Sequence, residues 1–198
     1  MKIVSRDLSI HQEHELLLKL EQAGMTSDLA QRIIESKGNK IAKEFISSLN
    51  KNVITIEIES LSLLQLREKY GVGESGFYNN DWWLNEDFAK DVPEAGVYEI
   101  NVECQFTNMT YNEQKKEFQK NQKDWSFPHP AVLAQAILKH YEQTGNRLLE
   151  DWYSRISLID SNYHHVFVGH FDSHGLYVAD YWVSNCYSHL GVAPFRKS

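Results

Sequence analysis

Side chains that could hold a metal ion concentrate near the end of the chain. Five of the nine histidines lie between residues 161 and 198, together with one of the two cysteines. His170 and His174 are four residues apart, and Cys186 and His189 form a C-x-x-H pair, a spacing close to that of structural zinc sites. One hypothesis is therefore a zinc-binding protein, structural or catalytic, that uses this tail.

The sequence contains no motif that is typical of an enzyme. It has no nucleophile elbow, no glycine-rich phosphate loop and no HExxH helix. Cys104 lies in a predicted strand, where a buried structural thiol is expected. Glu57 and Glu59 share one face of another predicted strand, which we expect to face solvent. We therefore expect no enzymatic activity and no cofactor.

Composition limits the class of protein. The 198 residues are 42% hydrophobic and 24% charged, which is typical of a globular domain of ordinary size. The net charge of -7 and the pI near 5.7 argue against nucleic-acid binding. No apolar run is long enough to span a membrane, and the N-terminus does not resemble a signal peptide. The default expectation is a cytoplasmic protein.

Two predicted regions divide the chain. Residues 1–50 show helical spacing of leucine and isoleucine, with glycine breaks, and predict a helical N-terminal extension. A partner-binding or DNA-reading helical module is the alternative for this extension, although it has no excess of basic residues. Residues 51–198 combine strand and helix patterns, so the predicted fold class is α+β.

Several elements of the second region can be predicted from local pattern. Residues 52–60 alternate isoleucine with polar residues, as a half-buried strand does, and a short helix should follow and end at Gly71. Residues 95–106 predict a second strand. Pro130 and Gly145 should begin and end a further helix. Residues 113–123 are locally basic and predict a solvated helix face.

The tail predicts strand fragments with apolar residues facing inward. The expected inward residues are Val166, Val168, Phe171, Leu176, Val178, Trp182, Leu190 and Val192. The residues around and between them are the candidate ligand-binding residues. They are Tyr163, His165, Phe167, His170, Asp172, His174, Tyr177, Asp180, Tyr181, Ser184, Asn185, Tyr187, Ser188 and His189.

The residue types of the tail have a pattern in the genetic code. Between Ile156 and Phe195 the chain has no Lys, Glu, Gln, Met, Thr or Arg. Every candidate type can be encoded by changing the two adenines of an Asn codon, AAC or AAT, while the final pyrimidine is kept. Lys, Glu, Gln, Met and Trp cannot be encoded in that way, and of these only Trp182 occurs here.

With this pattern, "VFVGHFDSHGLYVADYWVSNCYSHLGVAPFRK" resembles the variable region of diversity-generating retroelement target proteins with a C-type lectin fold. The "APFRK" ending and the preceding "HPAVLAQAILKHYEQTGNRLLEDWYSR" resemble one bacterial subgroup. The resemblance covers about the last third of the chain. Residues that match the scaffold of that family are Gly169, Phe171, Gly175, Leu176, Val178, Trp182, Leu190, Gly191 and Val192.

The resemblance implies a C-type lectin-like domain over residues 51–198, with a variable region at about 161–190. In such families an adenine-rich template is copied with random substitution at adenines. Enzymes with this fold, of the formylglycine-generating type, need active-site cysteines, whereas Cys104 and Cys186 are far apart in sequence. Calcium-dependent sugar binding is also unsupported, because no clear set of oxygen ligands occurs together.

A tail of this composition suits recognition of an unknown protein or other macromolecular ligand. Tyrosine offers a large, stiff contact area, and Ser and Asn offer adaptable hydrogen bonds without the entropy cost of Lys or Glu. The expected hot spots are Tyr163, Tyr177, Tyr181 and Tyr187. The histidines predict an acid-sensitive interface. Besides the zinc hypothesis, a structural lectin-fold domain whose tail composition is accidental remains an alternative.

Overall fold

The computed structural model describes residues 52–121 and 124–198. The predicted helical extension of residues 1–50 lies outside the described residues, so it remains a prediction. Residues Asn52–Ser198 form a single compact unit. No helix in the described ranges is both long and apolar enough to cross a membrane.

Both helices and sheets are present, as the α+β prediction requires. The elements in chain order are β1 (Val53–Ile58), α1 (Leu63–Tyr70), α2 (Asp87–Lys90), β2 (Gly96–Asn101), α3 (Tyr111–Asn121), α4 (Pro130–Thr144), β3 (Tyr153–Ile159), β4 (His165–Asp172), β5 (Gly175–Tyr181), β6 (Leu190–Gly191) and β7 (Phe195–Lys197).

A small antiparallel sheet joins the beginning and the end of the described chain. Its strand order is β1-β2-β7, with Ile56 opposite Tyr98 and Ile100 opposite Phe195. The predicted alternation in β1 is confirmed, since Ile56 and Ile58 are buried while Glu57 is exposed. Both ends of the domain are therefore fixed in one sheet.

A larger sheet contains the tail, in the order β5-β4-β3-β6. Its strand pairs are antiparallel except for β3 and β6, which are parallel. Helix α4 packs against β4 and is buried from Pro130 to Leu138. The inward positions predicted in β4 and β5 are confirmed, because Val166, Val168 and Val178 are fully buried in the core.

The predicted helix boundaries follow from local capping. Ser62 and Gln65 form a reciprocal capping box at the start of α1, and Gly71 follows its last residue. Pro130 opens α4, and Gly145 closes it in the left-handed conformation with φ of 72°. Both predictions of helix ends are confirmed.

Some sequence-based expectations were wrong. Strand β2 ends at Asn101, so Cys104 lies outside it. The thiol is nevertheless in a buried environment, which raises its pKa to about 12. Trp182 was expected to face inward and is 61% exposed. It lies just beyond the end of β5, where the chain has already left the sheet. Strand β3 was not predicted at all.

Candidate ligand-binding surface

The face of the larger sheet opposite α4, together with residues 182–189, carries most of the candidate residues. Residues 182–189 form a stretch without regular strand or helix between β5 and β6, which we call the tail loop. Side chains of β5 alternate, so Tyr177 and Tyr181 lie on the face opposite the buried Leu176 and Val178. We call this sheet face and the tail loop together the tail face.

Two of the candidate residues are buried beneath this face. Phe167 is 2% exposed and lies edge-on to Tyr153 and stacked with Tyr181, with ring centroids 4.9 and 5.0 Å apart. His165 is 9% exposed and stacks on Tyr111 of α3 at 3.6 Å. Strand β4 is covered on both faces, so neither side chain is at the surface to contact a ligand, contrary to the expectation from the sequence.

The environment of His165 favours a neutral ring. Its Nδ1 atom is buried and has no hydrogen-bond partner within the described part of the chain. Burial, with the positive charges of Arg155 and Lys115, lowers the pKa of His165 to about 4. This histidine therefore supports the tail face from below as an uncharged aromatic group.

A buried arginine, Arg155, lies on β3, on the same face of that strand as Tyr153. Arg155 is fully buried, and its guanidinium donates to the backbone oxygen of Met109 at 3.3 Å and to the side-chain oxygen of Gln114 at 3.0 Å. It also donates to the backbone oxygen of Asn185 in the tail loop. Burial lowers the pKa of Arg155 to about 10. The cation is solvated by oxygen atoms that it holds in place.

The tail loop is held through its main chain. Backbone oxygen atoms of alternate residues accept hydrogen bonds from groups outside the loop. The donors and acceptors are Tyr111 N to Val183 O at 3.2 Å, the Arg155 guanidinium to Asn185 O, Asn108 N to Tyr187 O at 3.0 Å, and Tyr153 N to His189 O at 2.8 Å. These bonds do not use any side chain of the loop itself.

Loop side chains are consequently available at the surface. Ser184, Ser188 and His189 are exposed, Tyr187 is 39% exposed, and Asn185 is half-buried. Three other exposed candidates lie outside the loop, and they are Tyr163, His174 and Tyr181. Tyr163, in the turn before β4, is 80% exposed, and Tyr181 at the end of β5 is 40% exposed.

Aromatic rings form a continuous row across the tail face, which we call the aromatic ladder. Its members, each in ring contact with the next, are Tyr78, Tyr177, His170, Tyr153, His189, Tyr187 and Tyr181. Centroid separations run from 4.0 Å for Tyr78 and Tyr177 to 5.9 Å for Tyr153 and His189. Offset and tilted rings at these distances attract each other, so the ladder is a pre-ordered contact surface.

Sequence reasoning missed two members of the ladder. Tyr78 lies in the segment between α1 and α2, and Tyr153 begins the unpredicted strand β3. Burial raises the pKa of Tyr153 to about 12, with smaller contributions from its neighbours on the tail face. The alternation from Tyr153 to Leu158 could have indicated this strand and hence its outward tyrosine.

A bulge in β4 brings His170 to the surface. The register of β4 and β5 shifts between Gly169 and Asp172, and Gly169 and His170 have φ angles of 148° and 50°. A Cβ atom on Gly169 would lie 2.3 Å from the backbone oxygen of Trp152. Only glycine fits there, and the bulge directs His170 toward Tyr153 and Tyr177 of the ladder.

Asp172 lies beside the ladder, at the end of β4, where the turn to β5 begins. Its carboxylate accepts hydrogen bonds from the backbone nitrogen of His174 at 2.7 Å and from Nδ1 of the same residue at 3.2 Å. Nε2 of His170 is 3.6 Å from the carboxylate. Burial acts to raise the pKa of Asp172, but these donors and imidazoles outweigh it and the pKa is lowered. The group is therefore an anion near neutral pH.

Asp180 lies apart from the ladder. Its carboxylate is 2.6 Å from Nδ1 of His164, and Asp160 is 3.6 Å from the same nitrogen. Trp182 packs edge-on against His164, with centroids 4.2 Å apart. Within residues 52–121 and 124–198, these two carboxylates and the imidazole are the only group of three side chains positioned to hold a metal ion.

The residues of the zinc hypothesis are not brought together. His170 and His174 contact Asp172, while His189 packs on Tyr153 and Tyr187, and Cys186 is an exposed free thiol. No three of these four residues lie close enough together to share a metal ion.

A concave feature lies elsewhere on the domain. An open groove of about 500 Å³ separates α2 from the end of β3, and none of the candidate residues lines it. The tail face is therefore a separate surface made by protruding side chains.

Comparison with known proteins did not identify a relative. No family model matches the chain, and neither does any curated protein or solved structure. Conclusions about function therefore depend on the geometry described above.

Proposed function

We propose that this protein binds a macromolecular ligand through a diversified recognition surface on a C-type lectin-like scaffold, and that its tail is a target of retroelement-driven mutagenesis. The observation that carries the proposal is the main-chain anchoring of the tail loop. Four backbone oxygen atoms of the loop are held by groups outside it, and its side chains are left at the surface.

Such anchoring separates the shape of the loop from the identity of its side chains. Replacing Ser184, Tyr187 or Ser188 removes none of the four anchoring bonds, because the donors are the fixed Arg155 and backbone amides. A loop that depended on its own side chains for hydrogen bonds would change conformation when they changed. This loop suits repeated substitution at constant backbone geometry.

The composition of the surface suits binding. The ladder supplies stiff rings whose ordering on binding costs little entropy, and Ser, Asn and His around it supply adaptable hydrogen bonds. The joining of the first and last described strands through β2 in one sheet supports a lectin-like scaffold, since it brings the two ends of the described domain together. The negative net charge makes a nucleic-acid ligand a poor fit.

The nucleotide sequence around the gene tests the retroelement part of the proposal. We expect a nearby copy of the segment for about residues 161–190, differing from the gene at adenines of the copy, and an adjacent reverse transcriptase gene. The differences should fall in codons of exposed residues such as Ser184 and Tyr187, and not in those of buried Val166 and Val168. If no such copy exists, or if its differences fall equally in buried positions, the proposal fails.

Binding can be tested with a displayed library of random peptides selected against the purified protein. We expect selected peptides to lose affinity at least tenfold on the double variant Tyr181→Ala/Tyr187→Ala. The matched control is Val72→Ala/Val97→Ala, which removes two exposed apolar side chains outside the tail. Peptides that bind both variants equally would show that the ladder is not the binding surface.

The zinc hypothesis has less support. His170, His174, Cys186 and His189 have other contacts or no common centre in the structure. No observation here favours an enzymatic function for the same residues.

A further inference from the structure

One end of the aromatic ladder has a fixed negative charge. Asp172 adjoins this end, because its carboxylate is 3.6 Å from Nε2 of His170, whose ring is tilted against Tyr177 with centroids 5.1 Å apart. Its side chain remains 25% exposed, and His170 lies between the carboxylate and Tyr153 of the ladder. Each carboxylate oxygen can accept more than one hydrogen bond, so Asp172 retains acceptor capacity beyond its contacts with His174.

The surroundings of this carboxylate add negative charge. Glu150 and Asp151 are exposed in the segment that leads into β3, where Leu149 and Trp152 hydrogen-bond to β4 beside Asp172. Arg147 is a nearby cation, which donates to the backbone oxygen of Asp172 and pairs with Glu74 at 3.0 Å.

The other titratable groups around Asp172 are imidazoles and the tyrosines of the ladder, Tyr177 and Tyr153. His170 and His174 contact the carboxylate, and His189 lies farther along the ladder. Arg155 is fully buried, and no lysine or arginine occurs between residues 156 and 195. Lys115 lies at the opposite end of the tail face, near His165. The Asp172 end of the ladder therefore has aromatic faces and carboxylates, and residues 156–195 supply no lysine or arginine to it.

We propose that the Asp172 end of the ladder is a subsite for an arginine side chain of a protein partner, with the guanidinium stacked on Tyr177 and His170 and paired with Asp172. This inference rests on the proposed binding function and specifies the chemistry of the ligand for this chain. Charge complementarity and the adjoining rings carry it.

Arginine fits this arrangement better than lysine. The guanidinium is planar, so it can stack on a ring and present two parallel donors to a carboxylate at the same time. An ammonium group is compact and strongly hydrated, and it makes only the charge contact. A cation over an aromatic face is attracted by the ring in addition to the ion pair.

The first experiment is an NMR titration of the full chain with Nα-acetyl-arginine amide. The neutral isostere Nα-acetyl-citrulline amide and the lysine analogue serve as comparison ligands. We expect saturable shifts of the Asp172, His174 and Tyr177 amide signals with arginine, at least fivefold weaker binding of lysine, and no saturable shift with citrulline. Equal shifts with citrulline, or no saturable shift with arginine, would overturn the inference.

Variants make the assignment specific. Asp172→Asn keeps an acceptor for the His174 amide, so it should fold, and we expect it to lose the preference of arginine over citrulline. Tyr177→Leu should weaken arginine binding while leaving the carboxylate in place. Asp91→Asn is the control, because Asp91 is exposed beside His129 and away from the tail. Retained arginine preference in Asp172→Asn would contradict the subsite.

The peptide library separates this inference from the proposed function. Enrichment of arginine in selected peptides, lost when Asp172→Asn is the target, would support both. Peptides that need Tyr181 and Tyr187 but show no arginine enrichment would overturn the subsite and leave the proposed function standing. If no selected peptide depends on the ladder, the proposed function fails, and the arginine titration still decides whether the subsite exists.

Discussion

The two sheets present different kinds of surface to solvent. On the small sheet and just before β2, long side chains of opposite charge form pairs, such as Arg196 with Glu99 at 2.7 Å and Lys197 with Glu94 at 2.5 Å. On the tail face, the exposed groups are rings, hydroxyls and short polar side chains, and the one arginine is buried.

The difference concerns what each surface needs in order to be stable. Exposed ion pairs contribute about 0–1 kcal/mol and involve flexible side chains, so they keep a surface soluble without defining its shape. Rings in contact and a loop anchored by its main chain define a shape that persists when individual side chains change. The tail face thus has a rigid backbone and exposed side chains that can be replaced, whereas the small sheet is an ordinary solvated surface.

The largest effect is expected where the tail depends on a single backbone position. Gly169→Ala should lower the free energy of unfolding by on the order of 4 kcal/mol, because the added Cβ would meet the Trp152 oxygen and φ is 148°. Gly145→Ala is the matched control, since it has a positive φ but no atom within 4 Å, and it should cost about 1 kcal/mol. Urea unfolding measures both, and equal losses would show that the bulge in β4 is not under steric constraint.

Acidification should weaken the support beneath the tail face. The pKa of His165 is about 4 in the folded chain and 6.5 as its ordinary value, so the unfolded chain takes up the proton first as pH falls. The stability from this neutral histidine is complete above pH 6.5 and is lost between pH 6.5 and 4, by up to about 3 kcal/mol. The measurement is urea unfolding at a series of pH values.

His165→Phe is the control for that pH series, because it keeps a ring against Tyr111 and does not titrate. The burial-lowered pKa values of His129 and His140 act in the same direction, so the wild type and the variant share that part of the slope. The difference between the two curves should be constant above pH 6.5, and between pH 6.5 and 4 the wild type should lose up to about 3 kcal/mol more than the variant. Parallel curves would show that His165 is accessible to protons in the folded chain.

Removing the buried anchor of the tail loop should have a smaller but local effect. Arg155→Met should reduce stability by about 2 kcal/mol, because backbone oxygens of Met109 and Asn185 lose their donor. Hydrogen exchange of amides in residues 182–189 should accelerate by more than the global loss of stability explains. If exchange there follows global unfolding alone, the other three anchoring bonds suffice to hold the loop.

Exchanging exposed loop residues should have the smallest effect. Ser184→Asn with Ser188→Asn should change stability by less than about 0.5 kcal/mol, because neither side chain anchors the loop. Breaking the Glu99–Arg196 pair with Arg196→Gln on the small sheet should cost a similar amount, within about 1 kcal/mol. Loop substitutions that cost 2 kcal/mol or more would contradict the view that the tail face is replaceable.

Much of the scaffold could be predicted from local sequence. The alternation in β1, the capping box of α1 and the Pro130 and Gly145 boundaries of α4 depend on residues adjacent in the chain. Strand β3 was missed because its alternation is short, with only Ile156 and Leu158 as regularly spaced aliphatic residues. Trp182 was assigned to the core from the strand pattern and the match to the family scaffold, but β5 ends at Tyr181 and the pattern does not hold one residue beyond it.

The sequence by itself determined the fold class, the buried face of β4 and β5, and the unusual residue types of the tail. Only the tertiary structure decided which candidates reach the surface, because His165 and Phe167 are covered by aromatic side chains from α3, β3 and β5. The ladder likewise joins Tyr78, Tyr153 and Tyr187, which are distant in sequence. Local pattern records periodicity along one segment, whereas a binding surface is formed by contacts between segments.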